Sequence, residues 1–120
     1  MARTRHLPLY AAIYGFSKET YRLKVKLPKV LKYELGQETF ASAIKMLKCV
    51  VIANASREKA PHLARLLVEI DVQWVLLRLL FDLRGISEGE FKVLSERLDE
   101  IGKQAQAWIN WERKSSKKSP

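Results

Sequence analysis

The residues of this chain best suited to chemistry are its cations. "YRLKVKLPKVLKYELG", residues 21–36, carries Arg22, Lys24, Lys26, Lys29 and Lys32, with no acid between Glu19 and Glu34. Clustered ammonium and guanidinium groups hold phosphate oxygens without reading a base sequence, and the grip weakens as salt rises. Tyr21 and Tyr33 bracket the cluster, where a ring can stack on a base or simply pack at the edge of a core. Lys45, Lys48, Arg57 and Lys59 would extend the field if the first two helices share a face. A second pattern is Arg57-Glu-Lys-Ala-Pro-His62. An Arg and a His at that spacing can address a scissile phosphate, provided both project from one helix turn. Pro61 and an inter-helix turn interrupt that geometry, so the pair does not predict a ribonuclease. Glu69, Asp71 and Asp82 lack histidines at metal-ligand spacing, and there is no glycine-rich phosphate loop. No catalytic residue, metal, cofactor or small-molecule substrate is expected.

Helices must position these charges. The clearest is the last, where Phe91, Leu94, Leu98, Ile101, Ala105 and Trp108 recur in steps of three and four. Ser87 with Glu90 makes a capping box, and Ile86 with Phe91 a hydrophobic staple, so this helix is expected over about 88–112. Before it, Pro61 suits a helix start and Gly85 the residue past a helix end. Leu63, Leu66, Leu67, Ile70, Trp74, Leu77 and Phe81 form its core stripe. Val68, Val72, Val75, Leu76, Leu79 and Leu80 add more grease than one bundle position consumes, which predicts subunit contacts through Val68, Val72, Val75, Leu76 and Leu79, with Trp111 as a further anchor. Arg78 stands among these leucines and needs a carboxylate or a partner.

The second helix is expected from about Tyr33 to Ser56, with Phe40, Ala43, Ile44, Leu47, Val50, Val51 and Asn54 on its stripe. The first is less clear. Leu7, Tyr10, Ala11, Tyr14, Tyr21 and Val25 fit a helical stripe, while Tyr21, Leu23, Val25 and Leu27 also alternate like a strand. A lone strand would leave its backbone unsatisfied, so a helix to about Lys24 and an extended link through Pro28 is predicted. Short turns between the later helices make them antiparallel neighbours.

The chain has 120 residues and a net charge of +9, enough for one domain with its own core. Residues 1–60 carry +8, residues 61–110 carry −2 and residues 111–120 carry +3. Arg113, Lys114, Lys117 and Lys118 belong to that basic end, and residues 114–120 read as a disordered tail after a domain over 1–113. The single cysteine, Cys49, excludes an intrachain disulfide. With no apolar run near the roughly 18 residues of a membrane span, and no convincing leader cleavage site, a mature cytoplasmic protein is expected.

Four segments, "KLPKVLKYELGQ", "ANASREK", "LLVEIDVQWVLLRLLFDLRGIS" and "LDEIGKQAQAWI", together resemble the accessory variability determinant (Avd) family of diversity-generating retroelements. The resemblance spans roughly residues 7 to 113. Its specific parts are Pro28, Leu35 and Gly36, then Lys59, Arg78, and Ile101-Gly102 with Trp108. Lys32 stands where that family often has Arg, and Gln104–Ala107 replaces a more glycine-rich stretch. Broader relatives are the four-helix proteins encoded in intervening sequences of 23S ribosomal RNA genes, which would imply a structural or RNA-associated scaffold. The resemblance implies an all-α, antiparallel up-down four-helix bundle that assembles into a pentameric barrel. It implies a non-enzymatic accessory subunit that binds a reverse transcriptase and template-repeat RNA, or its cDNA, during mutagenic copying and retrohoming. Arg22, Lys24, Lys26, Lys29, Lys32, Lys59, Arg78 and the basic end are the expected contacts.

Overall fold

Pro8 opens α1 (Pro8–Lys26) at a position where its missing N–H is no loss. Leu9, Ile13, Phe16, Ser17, Thr20 and Leu23 turn inward. This is a different face from the expected one. Tyr14, Tyr21 and Val25 are exposed, because the bulky aliphatics and Phe16 lie a third of a turn away and claim the core. The strand-like alternation is helical after all. Leu23 and Leu27 sit one turn apart and are buried, while Tyr21 and Val25 face outward. The extended link is only Leu27–Pro28, both with ψ of 149°, so α1 ends two residues later than predicted.

The computed structural model describes residues 7–118, and side chains to residue 115. It contains four long helices and, among these residues, no strand. The second, α2, begins earlier than expected, as Lys29–Leu31, a π-helical turn Lys32–Gly36, and then Gln37–Ala55. Gly36 is needed at that turn, since a Cβ would come within 2.9 Å of Leu27 Cδ1 and 3.1 Å of Lys24 Cγ. The inward face of α2 is also rotated from the prediction. Thr39, Ser42, Ala43, Met46, Val50, Ala53 and Asn54 are buried, while Phe40, Ile44 and Leu47 are only half-buried.

The third helix, α3 (Ala60–Asp82), keeps its predicted stripe, with Leu63, Leu66, Ile70 and Leu77 fully or almost fully buried. It ends in a Schellman turn: Gly85 N donates to Leu80 O (2.7 Å) and Arg84 N to Phe81 O (3.0 Å). The left-handed residue is Arg84, φ 61°, and not the glycine. Gly85 is present for space, because a Cβ there would approach Leu31 Cδ1 to 2.9 Å.

The fourth helix, α4 (Glu88–Lys118), starts with the predicted capping box: Glu90 N donates to Ser87 Oγ (3.0 Å) and Ser87 N to Glu90 Oε1 (2.9 Å). Its backbone stays helical to Lys118, so residues 114–118 continue the helix instead of leaving it; residues 119–120 lie outside the described part.

Consecutive helices pack antiparallel, and α4 closes against α1, giving an up-down four-helix bundle of 55 × 20 × 19 Å. Ile13, Phe16, Met46, Val50, Leu63, Leu77, Leu80 and Leu98 fill its axis. One buried polar tie crosses it, where Gln73 Nε2 donates to Thr39 O at 3.0 Å.

Candidate functional site

The topology gathers the cation cluster at one end of the bundle. Arg22, Lys24 and Lys26 occupy the last turns of α1, and Lys29 and Lys32 the first turns of α2. Lys24 and Lys26 lie at the negative end of the α1 dipole, which favours them. Lys29 and Lys32 lie at the positive end of α2, where the dipole opposes a cation and no acid stands in the first three residues. Folding therefore gains nothing electrostatic from these two lysines, and the helix end adds to their positive field. Arg22 is paired with Glu19 (2.6 Å), and Lys24 donates to Gln37 Oε1 (3.0 Å). Lys26, Lys29 and Lys32 make no ion pair among the described residues.

Among the other expected contacts, Lys59, Arg113 and Lys114 are separated from this end and Arg78 is not. Lys59 lies between α2 and α3 at the opposite end, and its ammonium is already engaged. It donates to the carbonyls of Ser56 (2.8 Å), Ala53 (3.1 Å) and Asn54 (3.2 Å), closing the C-terminus of α2. Arg57 is exposed in the same turn and His62 sits inside the first turn of α3, so they do not share one helix face. Arg113 and Lys114 are exposed on the last turns of α4; the side chains of Lys117 and Lys118 lie outside the described residues. Arg78 is exposed near the C-terminus of α3, at the same end of the bundle as the cluster, held 3.1 Å from Asp82 and over the ring of Phe81. The carboxylate it needed is thus supplied one turn on.

On α3, Val68, Val72, Val75 and Leu79 are exposed at alternating steps of four and three. That is the spacing of a helix–helix seam. Val68 keeps 62% and Val75 59% of its surface in solvent, and Trp111 on α4 keeps 62%. Leu76, expected on the same surface, is instead buried (9% exposed), because it falls one turn from both Gln73 and Leu80 on the inward face.

Sequence reasoning assigned the aromatic side of α1 to the core. Tyr14, Lys18 and Tyr21, spaced four and three, instead share an outward face, while Tyr10 is half-buried and packs against the core as expected. That spacing, set against the stronger aliphatic stripe of Leu9, Ile13, Phe16 and Leu23, is the signal that could have found it.

Among the described residues no three His, Cys, Asp or Glu side chains are grouped to hold a metal, and no helix is long and apolar enough to cross a membrane. A family model described as bAvd-like matches residues 9–112, a span that takes in the bundle from the first turn of α1 to the penultimate turns of α4. No curated protein matches the chain.

Proposed function

The chain belongs to the bAvd-like family, and from that membership we propose that it is an accessory subunit of a diversity-generating retroelement that binds the element's reverse transcriptase and template RNA. The family is a non-catalytic accessory one. The contribution of this chain is then to position a polyanion and a polymerase, with the chemistry left to the polymerase. The observation that carries the nucleic-acid part is the set Lys26, Lys29 and Lys32 at the α1–α2 end, without ion pairs among the described residues and with two of the three placed against the helix dipole. Such groups hold phosphates and position a strand without reading its bases.

Copies of the chain cover the Val68, Val72, Val75 and Leu79 seam in this reading, forming the pentameric ring that the family resemblance implies. Each protomer carries +9, so a ring of five presents roughly +45 and binds a long polyanion through several contacts at once. The test is co-retention. The tagged chain, expressed with its retroelement, is expected to retain the reverse transcriptase and template RNA, with the RNA released first as salt is raised. Retention of neither would overturn the proposal.

A further inference from the structure

We propose that the groove between α1 and α2 takes unpaired nucleobases, so that this chain grips single-stranded nucleic acid by stacking as well as by charge. The inference rests on the nucleic-acid reading above and adds to it the strand state and the place of contact.

The groove has a volume of about 360 Å³. Phe40, Ile44 and Leu47 of α2 form one side, and Tyr14 and Tyr21 of α1 the other. These tyrosines keep 48% and 51% of their surface exposed. Each ring is braced. Tyr14 stacks on Tyr10 with centroids 5.9 Å apart, and Tyr21 meets Phe40 edge-on at 5.4 Å. Bracing holds the rings in place at little further entropic cost when a second aromatic arrives.

Cations are interleaved with the rings. Lys18 Nζ sits over the Tyr14 ring, 5.1 Å from its centroid, so a base stacks on that face by displacing this flexible ammonium toward a phosphate, and Arg22 follows Tyr21 at the same rim. Along α1 the order is ring, cation, ring, cation. Tyr14 and Tyr21 are two turns apart, about 10 Å along the axis. Three stacked nucleotides at about 3.4 Å each span that distance. Glu19, the α1 acid beside this rim, pairs with Arg22, so the net positive charge along the tyrosines comes from Lys18. Flat ring faces alternating with cations fit bases and phosphates better than a peptide helix, which presents branched aliphatic knobs to such a groove. A duplex keeps its base faces stacked inside and so meets only the charges.

The experiment compares single-stranded RNA with a duplex of the same length at one salt concentration, by fluorescence anisotropy. A second set of oligonucleotides carries 2-aminopurine, whose emission is quenched on stacking against tyrosine. Wild-type protein is expected to quench it, a result that needs no substitution. The Tyr14→Ala/Tyr21→Ala variant is expected to bind the single strand roughly ten-fold more weakly and the duplex less than about two-fold more weakly, with Tyr14→Phe/Tyr21→Phe close to wild type. The inference is overturned, with the nucleic-acid reading intact, if wild type binds RNA without quenching or if the alanine variant is weakened equally for both substrates. It is also overturned if that variant fails only to bind the reverse transcriptase, which would make the groove a protein surface. Failure of wild type to bind either RNA would remove the underlying reading as well.

Discussion

Lys59 Nζ donates to Ser56 O at 2.8 Å, and that bond anchors the ammonium over the carbonyl end of α2. Two more carbonyls, of Ala53 and Asn54, share it. A residue with the look of a phosphate ligand is therefore the cap of a helix. Lys59→Ala is expected to cost about 1–2 kcal/mol, since it leaves three carbonyls of the last turn without this partner. For a domain of this size that lowers Tm by about 4 °C per kcal/mol. RNA affinity at fixed salt is expected to change little, and thermal melting alongside a binding isotherm checks both halves.

Two glycines separate close internal packing from open helix surface. Gly36 is crowded by Leu27 and Lys24, so Gly36→Ala is expected to destabilise the protomer despite the better helix propensity of alanine. Nothing lies within 4 Å of a Cβ built on Gly102, and Gly102→Ala is expected to stabilise the isolated protomer by about 0.5–1 kcal/mol. Denaturant midpoints of the two variants should move in opposite directions.

Cys49 is a half-buried thiol whose pKa is raised, first by burial, then by the nearby Glu69 carboxylate, with Arg65 acting in the opposite sense. A raised pKa leaves less thiolate at any given pH, so alkylation at pH 8 is expected to be slower than for a free cysteine. Glu69→Gln removes the negative charge while keeping an acceptor for Ser42 Oγ, which lies 2.7 Å from Glu69 Oε2. The thiolate is then less disfavoured and alkylation should accelerate. A rate against pH that is unchanged by the substitution would contradict this assignment.

The α3 seam is expected to govern assembly without holding the protomer together. Val72→Glu/Val75→Glu places two charges on side chains that are exposed in the single chain. Native mass and sedimentation should report a shift to the protomer, with helical content unchanged. Wild-type protein that is already monomeric at micromolar concentration would contradict the ring.

Much of the bundle was legible in the sequence because short-range signals agreed. Ser87 with Glu90 specified the start of α4, and the distances there are those of a reciprocal cap. The α3 stripe was equally plain, since Leu63, Leu66, Ile70 and Leu77 dominate any competing face. Helix α1 misled for the opposite reason. It has two plausible faces, and periodicity cannot choose between Tyr14 with Tyr21 and Ile13 with Phe16 until the neighbours are in place. Helix α2 likewise offers two faces, and it turns Met46, Val50 and Ala53 inward, so Phe40, Ile44 and Leu47 line a groove where a core stripe was expected. Of the expected phosphate ligands, the lysines at 24–32 do come together, because only a two-residue link separates α1 from α2. The capping role of Lys59 was not legible, because a side chain's partner six residues back, Ala53, is set by the path of the turn and not by spacing alone.

The central claim is that the lysines at the α1–α2 end hold a polyanion, and the salt dependence of RNA binding tests it most directly. A variant with Lys24, Lys26, Lys29 and Lys32 all changed to Gln should keep its fold, since two of these charges oppose the α2 dipole. Its plot of log affinity against log salt should be shallower than that of wild type, by about 0.7 for each single-strand phosphate that the variant no longer neutralises. Equal affinity and equal slope in the two proteins would contradict the claim.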